Sequence, residues 1–291
     1  MKRTSRRSWE DHVFGQAARL AFYYFVSIFP ALLLLLRLLD TFGSTGSELR
    51  NTLLDSFQQI VPQEASTLIA KTTAELNARS IVGASAFWAA LSAIWATLNG
   101  TWAMMIGLNR AYEVKEQRPL WKILMTAFAL TISLGGMGLM ALGAMLYGSR
   151  AGTAISQDLG FNTLPVSWRI IQWAVILTLL FFAFASLYRF GPNLNDRRWQ
   201  WSTPGAVIAI VLWVGSTVLL RVYQQHFSSS QRIYGGQNAA VTLLLWLYVT
   251  GAAIFIGGEA NSEIEKAAAE AGHPDVRRPT ERRSGGIDAS A

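Results

Sequence analysis

Long apolar runs alternate along this chain with short polar connections rich in lysine and arginine. No charged side chain occurs between Lys122 and Arg150, between Arg169 and Arg189, or between Arg232 and Glu259. Crossing a hydrocarbon core of ~30 Å takes roughly 20 helical residues, and each interval is that long. Residues 20–39 form another run, broken only by Arg37. It is longer than the ~7–15 residues of a signal-peptide core and is followed by further runs, so it reads as an uncleaved first helix. Six spans result, at about 20–39, 81–112, 123–147, 167–188, 204–225 and 237–259. The second, roughly 48 Å long at ~1.5 Å per residue, must tilt or project from the bilayer. Pro30 lies in the middle of the first, where it frees a carbonyl and kinks the helix. The fifth has an explicit start, with Trp199 and Trp201 at the interface, Ser202 or Thr203 as cap, and Pro204 in the first turn.

Outside the spans, helical periodicity recurs twice. Trp9, Val13, Phe14 and Ala17, behind a box-like Ser8 and Asp11, predict a short interfacial helix within 1–19. Between residues 40 and 80, Leu49, Leu53, Leu54, Phe57, Ile60 and Val61 share one face, and Ala65, Leu68, Ile69, Thr72 and Leu76 share another. They predict two amphipathic helices at about 47–77, resting on the outer surface. The chain therefore divides into a cytoplasmic tail and interfacial helix (1–19), a transmembrane domain (20–262) and a polar, largely disordered cytoplasmic tail (263–291). Two small-residue features predict close helix packing: the row Ser85, Ala89, Ala93, Thr97 and Thr101, and the cluster Gly135, Gly136, Gly138 and Gly143.

Charge orients these spans. Only 15% of the 291 residues are charged, 52% are hydrophobic, and the net charge is +7. Soluble domains carry about 25% charged residues. Lysines and arginines concentrate in the N-terminal tail, the connections 2–3 and 4–5, and the C-terminal tail, whereas the opposite connections are poor in them for their length. That alternation places both termini inside, N-in and C-in. The fold class is all-α: a polytopic integral membrane protein.

Chemistry of the soluble-enzyme kind is missing. There is no cysteine, and His12, His226 and His273 have no partner at metal-ligand spacing. No P-loop, dinucleotide-binding fingerprint or nucleophile elbow occurs. The expectation is no enzyme, no cofactor, no metal and no nucleic-acid partner. Polar residues at the inner helix ends are the better signal, because ionisable groups at membrane depth are costly. Asn109, Arg110 and Tyr112 close the second span, Arg189 and Asn193 the fourth, and Glu259 and Asn261 the sixth. Glu259 is the acid nearest the inner end of an apolar span, with Arg110 and Arg189 as its candidate partners. The cluster reads either as interfacial anchoring or as a vestibule for an anionic headgroup or a coupling ion. An outer group, Arg221, Gln224, Gln225, Tyr234, Gln237 and Asn238, is weaker, since Arg221 can snorkel to the interface.

Taken in order, Tyr23-Tyr24 with Ser27 and Pro30, Asn109-Arg110-Ala111-Tyr112, Arg189-Phe190-Gly191-Pro192-Asn193, Pro204-Gly205-Ala206, Tyr234-Gly235, and Trp246-Leu247-Tyr248 through Gly258-Glu259-Ala260-Asn261 resemble the YihY/BrkB family of bacterial inner-membrane proteins. The resemblance covers roughly residues 8–265. It implies six transmembrane helices, an inner-membrane location and no soluble catalytic domain. It also carries an old ribonuclease BN label, regarded as a misassignment, and links to virulence, serum resistance and envelope lipid export. Metal-dependent RNA cleavage needs convergent carboxylates, and the cytoplasmic segments offer no convergent acids beyond Glu113, Glu116, Asp196 and Glu259. Two functions stay open: a transporter or flippase of an amphiphilic, anionic envelope molecule, and a non-transporting scaffold or envelope-assembly partner. Membrane lipids are the expected partners, an anionic lipid or amphiphile the expected substrate, and the lateral small-residue surfaces leave room for a homo-oligomer.

Overall fold

The computed structural model describes residues 13–40, 84–158, 166–194, 203–226 and 238–271, with single residues at 43, 46, 51 and 71. Six long helices occur among them: α1 (Val13–Asp40), α2 (Ala84–Ala111), α3 (Leu120–Asp158), α4 (Val166–Phe190), α5 (Thr203–His226) and α6 (Asn238–Glu270). The described residues contain no strand. Four stretches are long and apolar enough to cross a membrane: Leu120–Met145, Ser167–Phe190, Thr203–Tyr223 and Ala239–Ala268. The other two helices, of 28 residues each, have the length, about 42 Å at 1.5 Å per residue.

Several expected boundaries move. Helix α1 runs without a break from Val13 past Arg19, so the interfacial segment and the first span form one helix, and Pro30 lies inside it without ending it. Helix α3 continues past residue 147 to Asp158. Helix α6 continues past residue 263 to Glu270, so the start of the expected tail is helical, and Glu265 within it is buried. Residues 263–270 contain no glycine or proline to stop α6, whereas α3 continues through Gly148 and Gly152, which lie against Gln172 and Trp168 of α4. The Ser8–Asp11 box, nearly all of 47–77 and residues 272–291 lie outside the described residues.

Helix α6 is the axis. It packs on α5, α1 and α2, while α1 pairs with α2 and α3 with α4, and α2–α3 and α4–α5 close the set. Residues 251–262 of α6 are buried on every side, with only Ile256 half-buried. A helix buried all round needs small residues where neighbours cross, because lipid offers no hydrophobic drive to pull helices together. Gly257 meets that need. A Cβ there would stand 2.7 Å from the Gly205 carbonyl oxygen and 2.8 Å from the Ala209 Cβ. Gly107 admits the Phe255 ring in the same way.

Of the expected small-residue row on α2, the side chains of Ser85, Ala89 and Ala93 lie outside the described residues. Ala96, Gly100, Ala103, Gly107 and Ala111 are buried small residues of α2, and Gly100 and Gly107 meet Tyr24 and Phe255. Thr101, from the expected row, is buried where its hydroxyl shares a 2.8 Å hydrogen bond with Thr131 of α3. The α3 glycines are a correction. A Cβ at Gly135, Gly136, Gly138 or Gly143 would meet nothing within 4 Å, so these glycines do not pack closely. Close approach occurs further along, where Gly148 lies against Gln172 and Gly152 against Trp168 of α4. Helix α3 has left α2 by then and leans on α4, with Trp168 Nε1 donating to the Gly148 carbonyl and Gln172 Nε2 to that of Ala144.

Packing along the bundle is one-sided. On α2, positions 105, 98, 94, 91 and 87 share a face. Met105 is fully buried, in a cluster with Ile123, Ala127 and Leu130 of α3. Leu98 is half-buried, and Ile94, Leu91 and Phe87 are exposed, Phe87 to 63%. The face that α3 covers near the α2–α3 linker is thus bare at the far end.

Candidate functional site

The α2–α3 linker organises the closed end of the bundle. Helix α2 ends where Glu113 takes a left-handed backbone, φ 51°, and turns the chain back so that the Val114 amide donates to the Asn109 carbonyl at 2.8 Å. Pro119, which lacks an amide hydrogen, bars helix before α3 starts at Leu120. The linker thereby crosses the end of α4. That helix closes with the Gly191 amide on the Leu187 carbonyl at 2.8 Å, and Pro192 prevents its continuation.

Asn109 joins the two ends. It is buried; its Nδ2 donates to Glu116 Oε2 at 2.8 Å, and its Oδ1 accepts from the Asn193 amide at 2.7 Å. Asn193 Nδ2 returns a bond to the Lys115 carbonyl at 3.1 Å. Arg118 grips the same carboxylate as a fork, Nε to Oε1 at 2.7 Å and Nη2 to Oε2 at 2.6 Å, and its backbone amide adds a bond to Oε1 at 3.1 Å. Nη2 also reaches the Gly191 carbonyl at 3.0 Å. The Arg118 side chain is 8% exposed and that of Glu116 24%. Burial pushes the Glu116 carboxyl up, but the hydrogen bonds from the Arg118 side chain, Asn109 and the Arg118 amide, with the Arg118 charge, outweigh it and hold the group below the ordinary glutamate range. Arg118 Nη1 is buried and has no hydrogen-bond partner.

A second knot ties α4, α5 and α6. The Tyr188 hydroxyl donates to the Ile254 carbonyl at 2.8 Å, and the Gly205 amide donates to Asn261 Oδ1 at 2.6 Å. An orphan amide in the first turn of α5 is thus satisfied from α6. Lys266 Nζ bridges Glu113 at 2.9 Å and Glu263 at 3.2 Å, which pins the α6 extension to the linker.

The residues expected at this site are therefore divided. Asn109 and Asn193 are brought into direct contact. Asn261 serves α5 instead, and Tyr112 is buried. Glu259 is 1% exposed, Arg110 is exposed, and Arg189 is half-buried with its guanidinium 5.5 Å from the Phe190 ring centroid. Glu116 and Arg118 are the members that sequence reasoning missed. Their signal is the Glu116-Gln117-Arg118-Pro119 run: opposite charges two apart in an extended segment project to one side. Among the described residues no three His, Cys, Asp or Glu side chains could hold a metal together. The arrangement is suited to recognising an anion rather than to acid–base chemistry, since its donors are a guanidinium and amides.

Comparison with known proteins gives a consistent result. The family model described as virulence factor BrkB matches residues 4–281. A ribonuclease-like protein YfkH of Bacillus subtilis (strain 168) is 30% identical over 254 residues, covering 87% of this chain and 90% of the relative. A UPF0761 membrane protein of Vibrio parahaemolyticus is 26% identical over 264 residues, covering 89% and 80%. Another, of Vibrio campbellii, is 28% identical over 265 residues, with 89% and 80% covered. No solved structure matches. With its membrane-length helices and a match over nearly its whole length, the chain belongs to the BrkB virulence-factor family of membrane proteins.

Proposed function

We propose that this protein resides in the bacterial inner membrane with six spans, N-in and C-in, and transports or flips an amphiphilic anionic envelope molecule. One observation carries the reading: the α2 face buried under α3 beside the linker is bare at the far end. Polar bonds tie α2 to α4 beside the linker, whereas at the far end α3 is bonded to α4 and leaves α2 exposed; helices joined at one end and parted at the other suit one state of an alternating-access device. The lysine and arginine distribution supports a cytoplasmic position for the joined end, which carries Arg110, Lys115, Arg118 and Lys122. The test is a proteoliposome assay in which fluorescent anionic and zwitterionic lipids are followed across the bilayer by dithionite quenching. Protein-dependent movement of the anionic probe is the expected result; rates equal to those of empty liposomes for every probe would defeat the proposal. A non-transporting scaffold is the alternative reading, and the open glycines of α3 favour it, because a neighbouring helix could approach that surface closely.

A further inference from the structure

We propose that Arg118 and Asn109 form an oxyanion site which Glu116 occupies as a tethered placeholder, and that a phosphate-class anion displaces it. Four donors converge on the one carboxylate: Asn109 Nδ2, the Arg118 amide, Arg118 Nε and Arg118 Nη2, all within 3.1 Å. Guanidinium forks fit phosphate as well as carboxylate. A carboxylate has two oxygens, and here both are engaged while Arg118 Nη1 is left buried without an acceptor. Phosphate brings a third oxygen that can supply the missing acceptor.

The placeholder is also reachable. Glu116 sits in the linker rather than in a helix, with a quarter of its side chain exposed, and Lys115 and Gln117 beside it are exposed. Arg110, Lys115 and Lys122 are all exposed around the linker and give incoming anions a positive field. Release of Glu116 frees one arm of Asn109, whose other arm holds Asn193 at the end of α4. The anion takes the Asn109 arm that Glu116 gives up, while the other arm keeps its bond to Asn193. The site names the headgroup-recognising residue for the transport reading, and it rests on that reading only for where the anion goes next.

Binding is measured on the full chain in detergent and in phosphatidylcholine nanodiscs, as the unfolding midpoint against inorganic phosphate, with chloride at equal ionic strength as control. A second arm adds phosphatidic acid to the nanodiscs. The wild type is expected to be stabilised by phosphate over chloride. Glu116→Gln, which removes the competing charge and keeps the shape, should respond at about tenfold lower phosphate. The double variant Glu116→Gln/Arg118→Gln, which leaves no buried charge unpaired, should not respond. Response to inorganic phosphate assigns a free anion, and response to phosphatidic acid alone assigns a lipid headgroup; either supports the site. Flat responses of the wild type and Glu116→Gln to both probes, or an undiminished response in the double variant, overturn it. A protein that moves no lipid yet binds phosphate through Arg118 overturns the transport reading and leaves this site standing.

Discussion

Gly257 and Gly138 show how unlike two glycines in one bundle can be. A methyl group on Gly257 would press on the Gly205 carbonyl oxygen, a backbone atom fixed in α5, with Ala209 beside it. Overpacking of this kind costs about 1–3 kcal/mol, so Gly257→Ala should lower the thermal unfolding midpoint in detergent. Gly138 has open space where its Cβ would be. Alanine is favoured over glycine in a helix by about 1 kcal/mol, so Gly138→Ala should leave that midpoint unchanged or raise it. The acids of α6 contrast in the same way. Glu259 is 1% exposed, whereas Glu263 is partly exposed and bonded to Lys266. Altering a buried polar group costs about 1–3 kcal/mol and breaking a surface ion pair about 0–1. Glu259→Gln should therefore reduce the folded, monodisperse yield far more than Glu263→Gln, and equal yields would show that the burial of Glu259 carries no such weight.

At the scale of elements, the α2–α3 linker is a connection made rigid by charge. Its apolar content is small, so its order depends on Glu116, Arg118 and Asn109. The sign of its pH dependence follows from the Glu116 carboxyl, which lies lower in the folded protein than its ordinary 4.5. A depressed carboxyl stabilises fully above the unfolded-state pKa, and that share is lost as the pH falls through the folded value. The stability difference between wild type and Glu116→Gln should thus be constant from pH 7 to about pH 5 and shrink below pH ~4.5. Unfolding midpoints of both proteins across that range check it, and a difference growing towards acid would contradict it. The helices themselves were legible in advance because their charge-free intervals exceed a bilayer's thickness. Their ends were not, since α3 and α6 run beyond the apolar stretch on backbone hydrogen bonds that hydropathy does not record.

For the molecule as a whole, the orientation can be read with single cysteines, because the chain has none of its own. Cysteines at Ser66 and Asn162 should react with an impermeant thiol reagent from outside intact spheroplasts, and cysteines at Gln117 and Ser284 should react only after permeabilisation. Labelling of Gln117 from outside would invert the orientation, and with it the side from which the Arg118 site is approached.

The pattern of charge and hydropathy alone determined that this is a helical membrane protein, and that polar chemistry gathers where α2, α4 and α6 end. Those properties depend on local composition and on the thickness of lipid, so they need no partner to be read. Which polar residues meet was decided only by the tertiary structure. Asn109 and Asn193 are 84 positions apart, and Asn261 and Gly205 are 56 apart; helix crossings set both contacts. The same crossings turn Gly107 and Gly257 into contact points and leave Gly135 and Gly138 open, although as residues all four are identical. Glu116 and Arg118 are bound together against Gly191 because the linker is laid across the end of α4, where a buried guanidinium must find acceptors.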